Sequence, residues 1–240
     1  MKALILETSS EKSLIALAID GAPIAVQTLS GGPQLSKNLA LEVKNLLYRA
    51  QDFVNFDSSN ETDPSRIGKD NEEGRFRIGA SSQNAQNLTA RGMPKGALQP
   101  DCIAVGTGPG SYTGIRVGAA LAKALAFGWQ IPIFGFCSLV AFAPDASQWA
   151  VLADARTGGF YTLDSSHDAP RLLSPSEAEV AFQHTPVLAS PYPDLIRKRL
   201  ALPGKWLETS PDPRLLSALT RKLFLEGHST SLNLSYLTSP

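Results

Sequence analysis

The sequence predicts an α/β protein built from two related halves, and three observations carry that prediction. The chain opens on short apolar segments separated by polar turns, the pattern of an antiparallel β-meander. A buried run at residues 102–106 passes through a glycine-rich turn directly into a helical run. A strand, polar turn, strand pattern at residues 149–163 then echoes the opening. The echo is too short to count as a sequence repeat, so it hints at paired halves through arrangement alone.

Taken in order, Ala3 to Thr8 is a short apolar segment and Ser9-Ser-Glu-Lys12 a polar turn. Leu14, Ala16 and Ala18 alternate with Ile15, Leu17 and Ile19. A strand apolar on both faces belongs in the middle of a covered sheet. Asp20-Gly21 signals a hairpin into a third strand, Ile24 to Thr28. From Gln34 to Ala50, Leu35, Leu39, Val43, Leu46 and Leu47 recur at helical spacing, with Lys37, Glu42, Lys44 and Arg49 on the polar face. Gln51 to Gln99 is rich in Asn, Ser, Asp, Glu, Gly and Gln and reads as a disordered or loosely packed insertion, with Phe53, Val54 and Phe56 closing the preceding helix.

Order resumes with a strand at Cys102 to Gly106 and a helix at Ile115 to Phe127 made of small and apolar residues. Its only charges, Arg116 and Lys123, fall on one face, and Gly128 is its expected stop. Ile131 to Phe136 is the next strand and Ser138 to Phe142 a short helix. Pro144 opens the second half, which sets the expected domains at 1–143, including the insertion 51–99, and 144–240. That half brings strands Trp149–Asp154 and Phe160–Leu163, then helices at Pro175–Phe182, Asp194–Leu202 and Pro213–Glu226, the last stopping at Gly227.

Composition excludes several classes. Hydrophobic residues are 43% of 240, enough for a real core, and the formal net charge is zero. Nucleic-acid binders carry a basic excess because phosphate contacts dominate their affinity, so tight RNA or DNA binding by this chain alone is not expected. Cys102 and Cys137 sit in apolar contexts outside any C-x-x-C pair, as buried reduced thiols do. No stretch approaches the ~20 apolar residues of a membrane span, and the first apolar run is too short for a signal peptide, so the expected compartment is the cytosol.

The most informative motif is Gly106-Thr-Gly-Pro-Gly-Ser-Tyr-Thr-Gly114. A strand, glycine turn and helix start can leave free N–H groups for an anion, with Gly108 and Gly110 supplying unusual backbone angles and Ser111 or Thr113 a helix cap. The same glycines would equally serve close packing of strand and helix. A P-loop needs Gly-Lys-Ser/Thr, and Ser111-Tyr112 follows Gly110 instead. A dinucleotide fold needs an acid after the next strand, which ends at Gly135-Phe136. Glu7-Thr8 and Asp154-Ala-Arg156 occupy corresponding turns of the two halves, where an acid could hold a nucleotide's metal; the plainer reading of Asp154 is an Asp–Arg pair fixing a hairpin. His167, His184 and His228 are scattered, without the spacing of a zinc helix, and no G-x-S-x-G elbow exists. A metalloprotease is nearly excluded, and no metal site is expected.

Residues Gly106 to Gly118 closely resemble the signature of the bacterial TsaB (YeaZ) family, Gly-Pro-Gly-Ser-Phe/Tyr-Thr-Gly-Leu/Ile-Arg-Ile/Val-Gly. Glu7-Thr8-Ser9, the helix from Gln34, Ile131-Pro-Ile-Phe-Gly135 and Asp154-Ala-Arg156 follow in the family's order, and Tyr236-Leu237 is similar to its closing Tyr-Leu. The resemblance covers residues 1–50 and 100–165 well. It implies an actin-like (sugar kinase/Hsp70-like) fold of two α/β lobes. It also implies a non-catalytic partner of a larger homologue, TsaD, which with the ATPase TsaE installs threonylcarbamoyl on adenosine 37 of ANN-decoding tRNA.

On that resemblance the chain has no cofactor of its own, with ATP admitted only in the assembled complex, and tRNA is met indirectly through the complex. The choice between monomer and homodimer in isolation stays open. Two departures stand out: Glu7 where the family usually has Asp, and Leu35-Ser36-Lys37 where its first helix usually begins His-Ser-Glu-like. The expected partner surface is Leu35, Leu39, Val43 and Leu46 on one helix with Ile115, Ala119, Leu121 and Ala122 on the other, in a four-helix contact burying ~800 Å² per partner. The competing reading is an actin-like enzyme with its own nucleotide turnover through Glu7, Thr8, Gly108, Gly110, Ser111 and Asp154.

Overall fold

The computed structural model describes residues 1–59, 97–227 and 232–237, with side chains of 52–59 left aside. Strands β1 (Lys2–Glu7), β2 (Lys12–Ile19) and β3 (Ala22–Ser30) form the expected meander. The β2–β3 turn is tight because Asp20 and Gly21 both take positive φ, 50° and 88°. Helix α1 (Pro33–Ser59) crosses the sheet, and β4 (Cys102–Gly106), helix α2 (Tyr112–Trp129) and β5 (Ile133–Phe136) complete it. Strands β4 and β5 run parallel to β1, giving the order β3-β2-β1-β4-β5.

A 3-10 helix, Ser138–Phe142, leads to the second sheet: β6 (Trp149–Asp154), β7 (Phe160–Asp164), β8 (Arg171–Leu173), β9 (Val187–Ser190) and β10 (Lys205–Glu208). Helices α3 (Pro175–Phe182) and α4 (Pro193–Arg197) lie between its later strands. The order is β10-β9-β6-β7-β8, with β7 and β8 antiparallel and β9 and β10 parallel. The second sheet therefore repeats the topology of the first: a meander followed by two parallel strands. The duplication that the short echo hinted at is carried by strand pairing, not by sequence.

Alternation along β1 explains the layers. Leu4 and Leu6 point with Ile15, Leu17, Ile103 and Val105 toward Leu39, Leu46, Ala122 and Ala126 of α1 and α2. Ile5 points the other way with Leu14, Ala16 and Ala104, toward Phe142, Val151, Leu163 and Ala189. That second cluster joins the two sheets, while Leu152, Phe160, Phe182 and Ile196 form a third under α3 and α4. A sheet covered on both faces needs apolar residues at every position of its central strands, which is how β1, β2 and β4 read.

Three expectations change. Helix α1 continues nine residues beyond Ala50, so the first part of the expected loose insertion is helical, and Leu98 at its far end is buried with its N–H donating to Leu47 O at 3.0 Å. The remainder of that insertion lies outside the described residues. Helix α2 does not stop at Gly128: it runs to Trp129, and Gln130 takes the left-handed cap at φ 55°. The predicted helix Asp194–Leu202 is only the five residues of α4, because Lys198 already caps it.

Helix α5 (Pro213–Leu225) packs across the expected division at 143/144. It returns to the first sheet, where Leu223 and Phe224 pack on Ala3, Cys102 and Phe134 and Leu216 joins the cluster between the sheets. Burial there pushes the Cys102 thiol up to about 12, which makes it an inert core thiol. The first sheet is thus closed by residues from both ends of the chain.

Candidate functional site

Strand β4 ends at Gly106 beside the end of β1, so the glycine-rich turn forms against the β1–β2 turn. Thr8 reaches under α2, where its Oγ1 donates to Gly114 O at 2.8 Å. A methyl group on Gly114 or Gly118 would collide with the Thr8 carbonyl or hydroxyl oxygen, which is why glycine stands at both. Gly110 lies against the Ser9 backbone, and Ser111 N–H donates to Ser9 O at 2.6 Å. Ser111 Oγ accepts from Gly114 N at 3.3 Å and caps α2, so of the two expected caps it is Ser111 and not Thr113. Gly108, at φ 97° and preceding a cis proline, donates to Ser138 Oγ at 3.0 Å and accepts from Ser138 N at 2.8 Å.

These bonds bear on what the turn can bind. The N–H groups of Thr107, Gly108, Ser111 and Gly114 are all spent within the chain, and Thr8 and Ser9 fill the hollow under the helix start. Gly110, Gly114 and Gly118 pack closely against Ser9 and Thr8, as the other reading of the motif expects.

Glu7 is fully buried at the same place. Its Oε1 accepts from Ser9 N–H at 2.7 Å, while Oε2 has no hydrogen-bond partner and stands against Gly106 Cα beside Ser138. Burial pushes its carboxyl up to about 7, against the opposing pull of the hydrogen bond from Ser9. The carboxyl is therefore half-protonated near neutrality and closed off from solvent within the turn.

Asp154 makes its contacts within its own half. Its Oδ1 accepts from Arg156 N at 3.0 Å and from Arg199 Nη1 at 2.8 Å, and Arg199 Nη2 donates to Gly158 O at 2.6 Å. The expected Asp–Arg hairpin lock exists, but Arg199 supplies it. Arg156 instead faces Glu11 across the lobes at 3.9 Å, near the Lys12–Glu208 pair at 2.6 Å. Sequence reasoning missed Ser138 and Arg199 because each comes from a distant element and belongs to no motif.

Two cavities, of about 360 and 510 Å³, lie elsewhere: one by Lys2, Asp101 and Gln130, the other by Trp149, His167 and His184. His167 Nδ1 is paired to Asp164 at 2.8 Å. Among the described residues no three His, Cys, Asp or Glu side chains gather as a metal site, and His228 lies outside them.

The expected partner residues need correction. Leu35, Leu39, Val43, Leu46, Ile115, Ala119 and Ala122 are all buried in this chain's own core, and Leu121 is half-buried against it. The apolar stripe that identified α1 is the stripe that binds it to the sheet, and α2 turns its buried small and apolar residues to the same core. What α2 presents outward is a different row: Thr113, Arg116, Ala120, Lys123, Ala124 and Phe127, the last 80% exposed.

The tail docks at the near end of that row. Ser235 N–H donates to Thr107 O at 2.8 Å, and Arg116 Nε donates to Tyr236 Oη at 3.0 Å. The Arg116 guanidinium lies 3.8 Å over the Tyr112 ring and 5.6 Å from that of Tyr236. The conspicuous Tyr-Leu near the end of the sequence was the signal for this contact, although nothing in it named Arg116 as the partner.

Comparison with known proteins agrees with the fold and the motif. The TsaB protein of tRNA threonylcarbamoyladenosine biosynthesis from Escherichia coli (strain K12) is 31% identical over 114 residues, 45% of this chain and 46% of that one. The protein of the same name from Bacillus subtilis (strain 168) is 38% identical over 91 residues, 32% of this chain and 40% of that one. The chain spans less than half the length of these curated relatives. The YeaZ structure from Pseudomonas aeruginosa superposes with a TM-score of 0.65 at 19% identity, over 98% of this chain and 99% of that one, which shows the two-lobed actin-like fold. Residues 83–220 match the family model described as TsaD, tRNA N6-adenosine threonylcarbamoyltransferase. With more than half of its residues inside that match, and with a turn built as the TsaB signature requires, the chain belongs to the TsaD family.

Proposed function

We propose that this chain is a non-catalytic accessory subunit of the assembly that installs threonylcarbamoyl on adenosine 37 of ANN-decoding tRNA, acting by pairing with a larger TsaD-type homologue. The observation that carries the reading is the outward row of α2, where Phe127 stands 80% exposed beside Ala120 and Ala124. Small residues let a second helix approach closely, and an exposed phenyl ring supplies the apolar area that a stable contact buries. The names of the curated relatives support the pathway, and the packed glycine turn supports a role without turnover of its own. ATP, the TsaE-type ATPase and tRNA then belong to the assembled complex, in the cytosol. No helix among the described residues is long and apolar enough to cross a membrane.

The test is co-elution of the full chain with the TsaD-type homologue of the same organism. Wild type forms a stoichiometric complex, and Phe127→Glu and Ala124→Glu abolish it without lowering the melting temperature of the free chain. Co-elution that survives both substitutions overturns the surface. Tight ATP binding by the isolated chain, with hydrolysis lost in Glu7→Ala, would favour a nucleotide-using enzyme instead.

A further inference from the structure

Arg116 is an exposed arginine that has been fixed in place. A free surface arginine samples many rotamers, and ordering it on binding costs side-chain entropy. Here Tyr112 stacks 3.8 Å from its guanidinium, Tyr236 Oη accepts from Nε at 3.0 Å, and the two rings lie 5.4 Å apart. Tyr236 is itself held by its neighbour's hydrogen bond, Ser235 N–H to Thr107 O. The fork is therefore oriented by the tail through Nε and by Tyr112, and no carboxylate among the described residues pairs with it.

The charge of α2 is one-sided. It contains no acidic residue, and its two cations, Arg116 and Lys123, are both exposed and lie two turns apart on one face. This stands on a chain whose formal net charge is zero. A partner helix laid along that row meets two positive charges with no internal counter-charge.

We propose that Arg116, clamped between Tyr112 and Tyr236, is a preformed anchor that takes a carboxylate from an acidic helix of the partner subunit, so the C-terminal tail is part of the partner-binding surface. The proposal rests on the pairing proposed above and adds the partner's chemistry and the tail's role to it. Guanidinium is suited to this because its planar fork takes a carboxylate in two parallel hydrogen bonds, and its weak hydration tolerates burial between rings. Tyrosine and arginine together are also the composition that dominates binding energy in protein interfaces.

The experiment measures affinity of the full chain for the homologous subunit by calorimetry at 50 and 300 mM NaCl. Expected are a loss of at least tenfold for Arg116→Gln, several-fold for Arg116→Lys, which keeps charge but not the fork, and a smaller loss for Tyr236→Phe, which keeps the ring but frees Nε. Arg116→Gln also flattens the salt dependence. Melting temperatures of the free variants stay within a few degrees of wild type. If wild type binds and the Arg116 variants bind equally well, the anchor is overturned and the pairing stands. If Arg116→Gln binds weakly with an unchanged salt dependence, the arginine acts by shape and the carboxylate is overturned. If wild type does not bind the homologue, the pairing itself fails.

Discussion

Replacing Glu7 with Gln tests whether burial, and not a ligand, governs the turn. The folded carboxyl is raised from 4.5 to about 7, with burial as its main cause. The folded state therefore holds the proton more tightly than the unfolded chain does. Stability from this group is full below pH 4.5, declines as pH rises from there toward 7, and is lost above 7. At 1.36 kcal/mol per pH unit, the interval amounts to roughly 3 kcal/mol. Gln removes the titration while keeping the shape: its Oε1 still accepts from Ser9 N–H, and its amide can donate to Ser138 Oγ, which has a second lone pair. Urea unfolding followed by circular dichroism from pH 5 to 8 reads the difference between the two proteins. The variant gains on wild type as pH rises, by about 2.5 kcal/mol between pH 5 and 8, because the other titrating groups are common to both. Curves that stay parallel from pH 5 to 8 would show Glu7 ionised throughout and refute the argument from burial.

Other perturbations follow from the same packing. Gly118→Ala places a methyl group against Thr8 Oγ1 and should cost about 1–3 kcal/mol in chemical unfolding, part of which Thr8→Ala in the same chain restores. Leu39→Glu buries a charge in the core under α1 and should leave an unfolded or aggregated product by gel filtration, in contrast to the tolerated Phe127→Glu. For Asp164, burial raises the carboxyl, but hydrogen bonds from His167 and Ser166 outweigh it and hold the group at about 2. Its contribution is present above pH 4 and lost as pH falls toward 2, so Asp164→Asn should reduce the acid sensitivity of the thermal midpoint below pH 4.

How much of this was legible in the sequence depended on the range of the interaction. Central strands announce themselves because both faces are apolar: β2 was read that way, and β1 and β4 as short apolar or buried runs. Strands β8, β9 and β10 of the second sheet are three or four residues long, too short for any period to emerge. Spacing located α1 and composition α2, but neither could say whether an apolar face meets a partner or the chain's own sheet, and the sheet had the prior claim. The glycine turn was recognisable, yet its function as packing depends on Thr8, about a hundred residues away. Arg199 and Ser138 reach the predicted residues only through the fold, so no local pattern could have named them.

The return of α5 has a consequence for synthesis. The first sheet is assembled from residues 2–136, but the helix that covers Ala3, Cys102 and Phe134 is made only after the whole of the second sheet. Until then the lobe that appears first is an open-backed sheet, and its apolar rear must be shielded by the second lobe alone or by a chaperone. A fragment ending at residue 143 would not be a smaller stable domain but an arrested intermediate, completed only when the chain's end is supplied.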